Sequence, residues 1–288
     1  MIGDFYGLPT RIIGNRHLRL EVLADAGPRI VRVMLNGSTE NLFAEVPDVR
    51  WTTPLGDYYL RGGHRLWCAP EAEPQTYIPD NTGLMIEALA DGVRLLQPTE
   101  SATGIRKSIE IQLYDDAPRA TLIHRLQNAS ECAIEVAPWA ITMLPLGGTA
   151  ILPLRSQLDA GTAQPDRALV LWQYTRVHDP RLQIDDEYVI IQAHAEMPPC
   201  KIGTLNRAGW IAYLREGVLF VKRFQPKPDH LHVDRGCNVE VYCNDRYIEL
   251  ETLAPMQRLA PNEIAEHIET WEWRTDVQNI ERIQELME

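Results

Sequence analysis

The stretch NVEVYCNDRYIELET, residues 238 to 252, carries the alternation on which the fold reading rests. Val239 and Val241 alternate with Asn238, Glu240 and Tyr242; Ile248 and Leu250 alternate with Tyr247, Glu249 and Glu251. Two period-2 runs separated by Asn-Asp predict an antiparallel hairpin. With a two-residue turn at Asn244-Asp245, Tyr242 faces Tyr247, Glu240 faces Glu249 and Asn238 faces Glu251. The six polar residues then share one face, and the four apolar ones point to a core. Like charges opposite one another weaken a sheet, so these carboxylates are expected either on a solvated outer face or in a polar cleft. In a cleft, crowding raises the pKa of one of them and makes it an acid or base usable near neutrality.

The same alternation recurs along the chain. Leu18, Leu20 and Val22, then Val31, Val33 and Leu35, then Ile109, Ile111 and Leu113 each alternate with intervening residues, mostly polar. Similar runs cover 119–127, 187–195, 217–224, 246–252 and 267–274, with turn signals such as DAG, ADG, DDAP and REG between runs. This predicts an all-β, largely antiparallel architecture, read as one domain over 1–288 because no fixed-length repeat or linker-like composition divides it. One helix is expected, over 276–288, where Val277, Ile280, Ile283 and Met287 recur at helical spacing. Thr275 and Gln278 suit a capping box, and the helix is expected to pack on the sheets or on a second subunit in a homodimer.

Composition narrows the partners. Apolar residues make up 45% of the 288, enough for a large core, and the net charge is −12. An acidic chain without a basic block disfavours nucleic acid and anionic lipid and points to a small-molecule partner. No run of about 18 apolar residues offers a membrane span. The opening MIGDFYGLPT lacks the order of a signal peptide. Five scattered cysteines without CxxC spacing argue against a zinc site or disulfide framework and lead to the expectation of a cytoplasmic protein. No cofactor is expected. HLHVD (230–234) has metal-ligand spacing, but the prolines and Gly236 nearby read as a loop, and no metal is assigned.

RGGHRLWCAPE (61–71) is the other unusual segment. Gly62-Gly63 permits a sharp bend and a close approach to a ligand; Arg61, His64, Arg65 and Glu71 supply charge or titration; Trp67 offers a face that can stack on a sugar ring. EPQTYIPDN (73–81) continues it as a long loop with Tyr77, Asp80 and Asn81. His124 lies on the apolar face of its strand and reads first as a satisfied core histidine. Lys107, on a similar face, requires a carboxylate such as Glu100 or Glu251. Trp139, Trp172 and Tyr174 fit a core or a ligand platform equally well.

YIELETLAP followed by LAPNEIAEHIETWEW resembles the end of galactose mutarotase (aldose 1-epimerase) proteins, with Leu250-Glu251-Thr252, Pro261-Asn262-Glu263 and His267 in the matching places. AGPRIVRVML is similar to the family's early strand. RGGHRLWCAPE, YIPDN, APWAIT and CNVEVY together resemble an uncharacterised branch of the same superfamily. The resemblance implies an antiparallel β-supersandwich with a carbohydrate cleft, and an aldose 1-epimerase-like activity in which Glu251 takes the anomeric proton. The family's acid histidine is replaced by the Pro138-Trp139 segment, so His64, then His124, stands in as acid. The expected cleft comprises Arg61, Arg65, Trp67, Glu71, Tyr77, Asn81, Lys107, His124, Trp139, Asn238, Glu240, Tyr242 and Glu249. A non-catalytic carbohydrate-binding module is the main alternative. A glycosidase or lyase is a third, since Glu240 and Glu249, if opposite, would lie roughly 5 Å apart, near the separation of retaining enzymes.

Overall fold

The computed structural model describes residues 2–154, 163 and 165–287. Each alternating run falls on a strand, with ends displaced by at most four residues. Two large sheets result. The first runs β1 (Ile2–Phe5), β2 (Leu8–Gly14), β3 (Leu18–Leu23), β4 (Arg29–Leu35), β7 (His64–Ala69), β12 (Ile134–Pro145), β21 (Tyr247–Leu253), β20 (Val239–Cys243), β17 (Cys200–Thr204) and β14 (Leu169–Leu171). Its eleventh strand, β22 (Gln257–Leu259), pairs with β12. The second runs β15 (Leu182–Ile184), β16 (Tyr188–Gln192), β13 (Thr149–Pro153), β18 (Trp210–Arg215), β19 (Val218–Phe224), β23 (Ile264–Arg274), β11 (Arg119–Asn128), β10 (Ile105–Leu113), β9 (Gly92–Leu96) and β8 (Met85–Leu89). A hairpin of β5 (Glu45–Thr53) and β6 (Gly56–Gly62) stands apart from both. Among the described residues no helix is long and apolar enough to cross a membrane.

One apolar core joins the sheets. Leu20, Val33, Leu66 and Leu250 from the first meet Ile109, Leu122, Phe220 and Trp271 from the second. Burial of each such side chain contributes about 1.5–3 kcal/mol, and the alternation makes this face of the strands largely apolar, with a few buried polar side chains such as His64, Thr142 and Thr252. The opposite face of the first sheet is therefore free to carry different chemistry.

The Asn238–Thr252 hairpin forms, but in another register. Glu240 pairs with Glu251, Tyr242 with Glu249, and Cys243 with Ile248. Asn244 explains the difference: its Oδ1 accepts from the backbone N–H groups of Arg246 and Tyr247 at 2.8 and 3.0 Å, closing a wider turn than a two-residue one. The slip is two residues, so every side chain keeps its face and only the partner opposite changes. Glu240 is consequently opposite Glu251 rather than Glu249, so the pair named for the glycosidase alternative is not the one that forms, and Lys201 bridges the pair that does.

Two further expectations change. Gly62 and Gly63 have positive φ, and an added Cβ would sit 2.1 Å from the Ala44 carbonyl oxygen and 2.0 Å from that of Ile30. These glycines admit neighbouring backbone rather than a ligand. The helix α1 spans Ile280–Met287 and is capped by Asn279, whose Oδ1 accepts from Arg282 N at 3.0 Å; Thr275 bonds instead to Asp276. Val277 and Ile283 bury against Trp210, Leu219 and Val221 on the second sheet. The side chain of Met287 and all of Glu288 lie outside the described residues.

Candidate functional site

Strands β7, β12, β21, β20 and β17 are neighbours, and their register puts Arg65, Trp67, Trp139, Glu251, Glu249, Glu240, Tyr242 and Lys201 on the face turned away from the second sheet. Above this face lies a cleft of about 250 Å³ lined by Trp51, Leu60, Arg65, Trp67, Glu71, Tyr77, Trp139, Tyr174, Pro199, Lys201, Tyr242, Tyr247 and Glu249. Aromatic rings form most of the wall. Trp67 meets Tyr77 and Trp139 edge-on at centroid distances of 5.2 and 5.3 Å, and Trp51 from the β5–β6 hairpin meets Tyr77 at 5.3 Å. Edge-to-face packing suits the ring quadrupoles.

Two cations are set into this wall. Arg65 Nη2 donates to Glu249 Oε1 at 2.9 Å, and its guanidinium lies 4.1 Å from the Trp67 ring centre. Lys201 Nζ sits 2.7 Å from Glu240 Oε2 and 2.9 Å from Glu251 Oε2, between the rings of Trp139 and Trp172 at 4.8 and 4.6 Å. Trp139 Nε1 also donates to Glu251 Oε2 at 2.8 Å. Burial opposes the Lys201 charge, but Glu251 and Glu240 hold its pKa well above the ordinary lysine value. The carboxyls feel the reverse. Burial, with the neighbouring Glu251 charge, pushes Glu240 well up despite Lys201, and burial raises Glu249 despite Arg65. Several buried polar atoms here have no hydrogen-bond partner among the described residues: Arg65 Nε and Nη1, Glu240 Oε1 and Glu251 Oε1.

The sequence-derived site residues divide sharply. Arg65, Trp67, Glu71, Tyr77, Trp139, Tyr242 and Glu249 line the cleft. Glu240 and Glu251, both wholly buried, lie beneath it with Lys201 on them. Arg61 and Asn81 do not line it: Arg61 bonds Asp80 at 2.7 Å and also Asn81, while Asn81 Nδ2 bonds the Asp57 carbonyl, which ties the β5–β6 hairpin to the 77–81 loop. Asn238 is wholly buried, clamps the backbone of Asn206 at both ends of its amide, and borders a separate cavity of about 510 Å³. Lys107 is buried in an ion pair with Glu100 at 2.7 Å, one of the partners expected for it, but in the second sheet and away from the cleft.

His64 is corrected most strongly, and His124 is the satisfied core histidine of its first reading rather than a cleft residue. His64 precedes Arg65 on β7, so period 2 sends it to the inner face. There a polar cluster spans both sheets. His124 Nδ1 donates to the His267 carbonyl at 3.0 Å, His64 Nε2 donates to His124 Nε2 at 2.7 Å, and the Thr142 hydroxyl donates to His64 Nδ1 at 2.9 Å. Lys222 Nζ reaches Glu269 Oε1 at 2.9 Å and the carbonyls of Ala140 and Leu250; Glu269 also accepts from Thr252 and from Trp271 Nε1. Burial and nearby His124 and Lys222 hold His64 well below the ordinary histidine value, and burial takes His267 down to about 3. Although burial works against it, Lys222 and the histidines bring Glu269 to about 2. His64, His124 and Glu269 place ligand-type atoms within 4.8 Å of one another. The Lys222 ammonium beside Glu269 opposes a metal ion there, and these donors already have partners. The segment 230–234 is loop, with His232 Nε2 bonded to the Lys227 carbonyl.

Sequence reasoning missed Lys201 and Trp51. Lys201 had a signal: in CKIGT, a lysine alternating with Cys200 and Ile202 sits in a strand whose every residue is buried, so it requires a carboxylate. Trp51 had none, because only the hairpin's packing brings it to Tyr77.

No protein-family model matches the chain, and no curated protein matches it in sequence. Solved structures do match in fold. A galactose mutarotase-like protein from Lactobacillus casei aligns with 92% of this chain and 100% of its own at TM-score 0.61 and 8% identity. A galactose mutarotase related enzyme from Lactobacillus acidophilus aligns with 94% of this chain and 99% of its own at TM-score 0.52 and 11% identity. A TPR-domain containing protein from Parabacteroides distasonis gives TM-score 0.63 and 15% identity over 94% of this chain; the chain spans 48% of that protein. The fold is the galactose mutarotase-like β-supersandwich.

Proposed function

We propose that the aromatic cleft binds a carbohydrate of single-ring size. The observation that carries this reading is the convergence of Trp51, Trp67, Trp139 and Tyr247 on a floor where Arg65, Glu249 and Lys201 present polar groups. Aromatic faces match the C–H faces of a pyranose, and the charged floor matches its hydroxyls. A volume of about 250 Å³ lies just below the range of about 300–1,000 Å³ for drug-sized ligands and suits one ring better than a chain. Titration calorimetry with a panel of aldoses tests this. Saturable binding that weakens at least about tenfold in Trp67→Ala is expected, since a platform of this kind contributes about 1–3 kcal/mol. An absence of binding to every aldose would remove the reading.

Turnover at the anomeric carbon is favoured by one feature, the carboxyl of Glu249, which borders the cleft and has its pKa raised by burial. Mutarotation requires a base at the anomeric hydroxyl and an acid at the ring oxygen. The resemblance assigns the base to Glu251, which stands behind Lys201 and Trp139. We assign direct contact with the sugar to Glu249, with Glu251 acting through Lys201. In polarimetry, Glu249→Gln is expected to lose about 10²–10⁴-fold in kcat and Glu251→Gln less. Mutarotation in Glu249→Gln at the wild-type rate would return the base to Glu251 or leave the cleft with binding alone.

A further inference from the structure

We propose that the cleft is built for a cationic sugar, an aldose carrying a protonated amine, whose ammonium seats at the rim between Glu71 and the rings of Trp51 and Tyr77. This rests on the carbohydrate reading and specifies its ligand.

The charges in the cleft do not balance. Arg65 is taken by Glu249, and Lys201 is shared by Glu240 and Glu251. Counting Glu249 and Glu251 alone, both cations are already neutralised. Glu71 then remains as a surplus carboxylate, exposed at the rim and hydrogen-bonded by the Tyr77 hydroxyl. Each cleft-lining cation among the described residues already faces a carboxylate, so an anionic ligand would meet only the open Nε and Nη1 donors of Arg65. The other device that holds phosphate, a helix N-terminus, is absent, since α1 packs on the second sheet. The chain's net charge of −12 acts in the same direction at longer range.

The wall chemistry agrees. Both cations already in the cleft lie against aromatic rings: Arg65 at 4.1 Å from Trp67, and Lys201 between Trp139 and Trp172. The rings of Trp51 and Tyr77 stand 5.3 Å apart at 46° beside Glu71, and Trp51, one face of which stacks on Tyr58 at 5.7 Å, is still 40% exposed. An aromatic corner closed by a carboxylate is the arrangement that recognises ammonium groups.

The test compares ligands that differ at one position, using calorimetry at low salt near pH 6: glucose with glucosamine, N-acetylglucosamine and glucose 6-phosphate, and the same set in the galactose series. The amine is expected to bind at least about tenfold tighter than the parent and the N-acetyl form, and the phosphate at least about tenfold weaker than the parent. The gain should shrink at high ionic strength and when pH rises past the amine's own pKa. Glu71→Gln and Trp51→Ala, both at exposed positions, should each erase most of it. An amine that binds no tighter than the parent, or a phosphate that binds tighter, overturns this inference and leaves the carbohydrate reading intact. A gain undiminished in Glu71→Gln overturns the seat proposed here. Failure of every sugar to bind overturns the carbohydrate reading itself, and this inference with it.

Discussion

The two faces of the first sheet carry polar clusters that meet at neighbouring residues, His64 and Arg65 on β7 and Thr252 and Glu251 on β21, the inner one being completed by the second sheet, and the clusters behave in opposite ways. On the inner face His64, Thr142, His124, Lys222, Thr252, His267 and Glu269 close upon one another, with each charged or titratable group answered by a partner. On the outer face Arg65, Lys201, Glu240, Glu249 and Glu251 leave buried nitrogens and oxygens without partners. The pKa directions follow. Inner Glu269 is driven down to about 2, whereas outer Glu240 and Glu249 are driven up. Burial is comparable on both sides, so burial does not separate a structural cluster from a site. Completeness of pairing does. A closed network stabilises a fold, while an open one keeps interaction capacity for something that arrives later.

The largest effect should come from breaking the inner network. Lys222→Met leaves Glu269 buried without its ammonium, and loss of one partner of a buried pair costs about 3–5 kcal/mol. Urea unfolding measures this; a cost under about 1 kcal/mol would put the inner cluster on the same footing as the cleft.

The next effect is on pH. His64, His124 and His267 have folded pKa values below the ordinary 6.5, with His267 at about 3. The unfolded chain therefore takes up protons that the folded chain refuses. The contribution of these groups is complete above pH 6.5 and is lost as pH falls, by up to about 1.4 kcal/mol per unit for each histidine. Glu269, with a folded value of about 2 against 4.5, extends the loss to lower pH. The urea midpoint should thus fall steadily from pH 7 to pH 4, and a level midpoint across that range would contradict the closed network.

The smallest effect should distinguish the cleft. Glu240 has a raised pKa, so its carboxyl favours the folded state below the unfolded value, and that preference is lost as pH rises through the folded one. Glu240→Gln removes this liability and leaves Lys201 paired with Glu251. Stability at pH 8 should stay within about 1 kcal/mol of wild type or rise, whereas Glu269→Gln on the inner face should cost clearly more. Equal losses in the two variants would dissolve the distinction between the faces.

Much of this was legible in advance. Period-2 alternation located many of the strands and sorted Glu240, Tyr242, Glu249 and Glu251 onto one face, because successive side chains on a strand point to opposite sides whatever the strand pairs with. That sorting survived even the two-residue register slip at Asn244. The same rule, applied to neighbours, separates His64 from Arg65; treating RGGHRLWCAPE as a loop hid it. The expectation that Lys107 needs a carboxylate held as well, since a buried ammonium must be neutralised wherever it lies. What only the tertiary structure decided is which face meets the second sheet and which stays open, and which distant residues complete each cluster. Lys201 and Trp51 join the cleft, and His124, Lys222 and Glu269 join His64, through contacts between strands far apart in the chain. Local sequence determines the direction of a side chain relative to its own strand; the packing of two sheets determines what that side chain finds there.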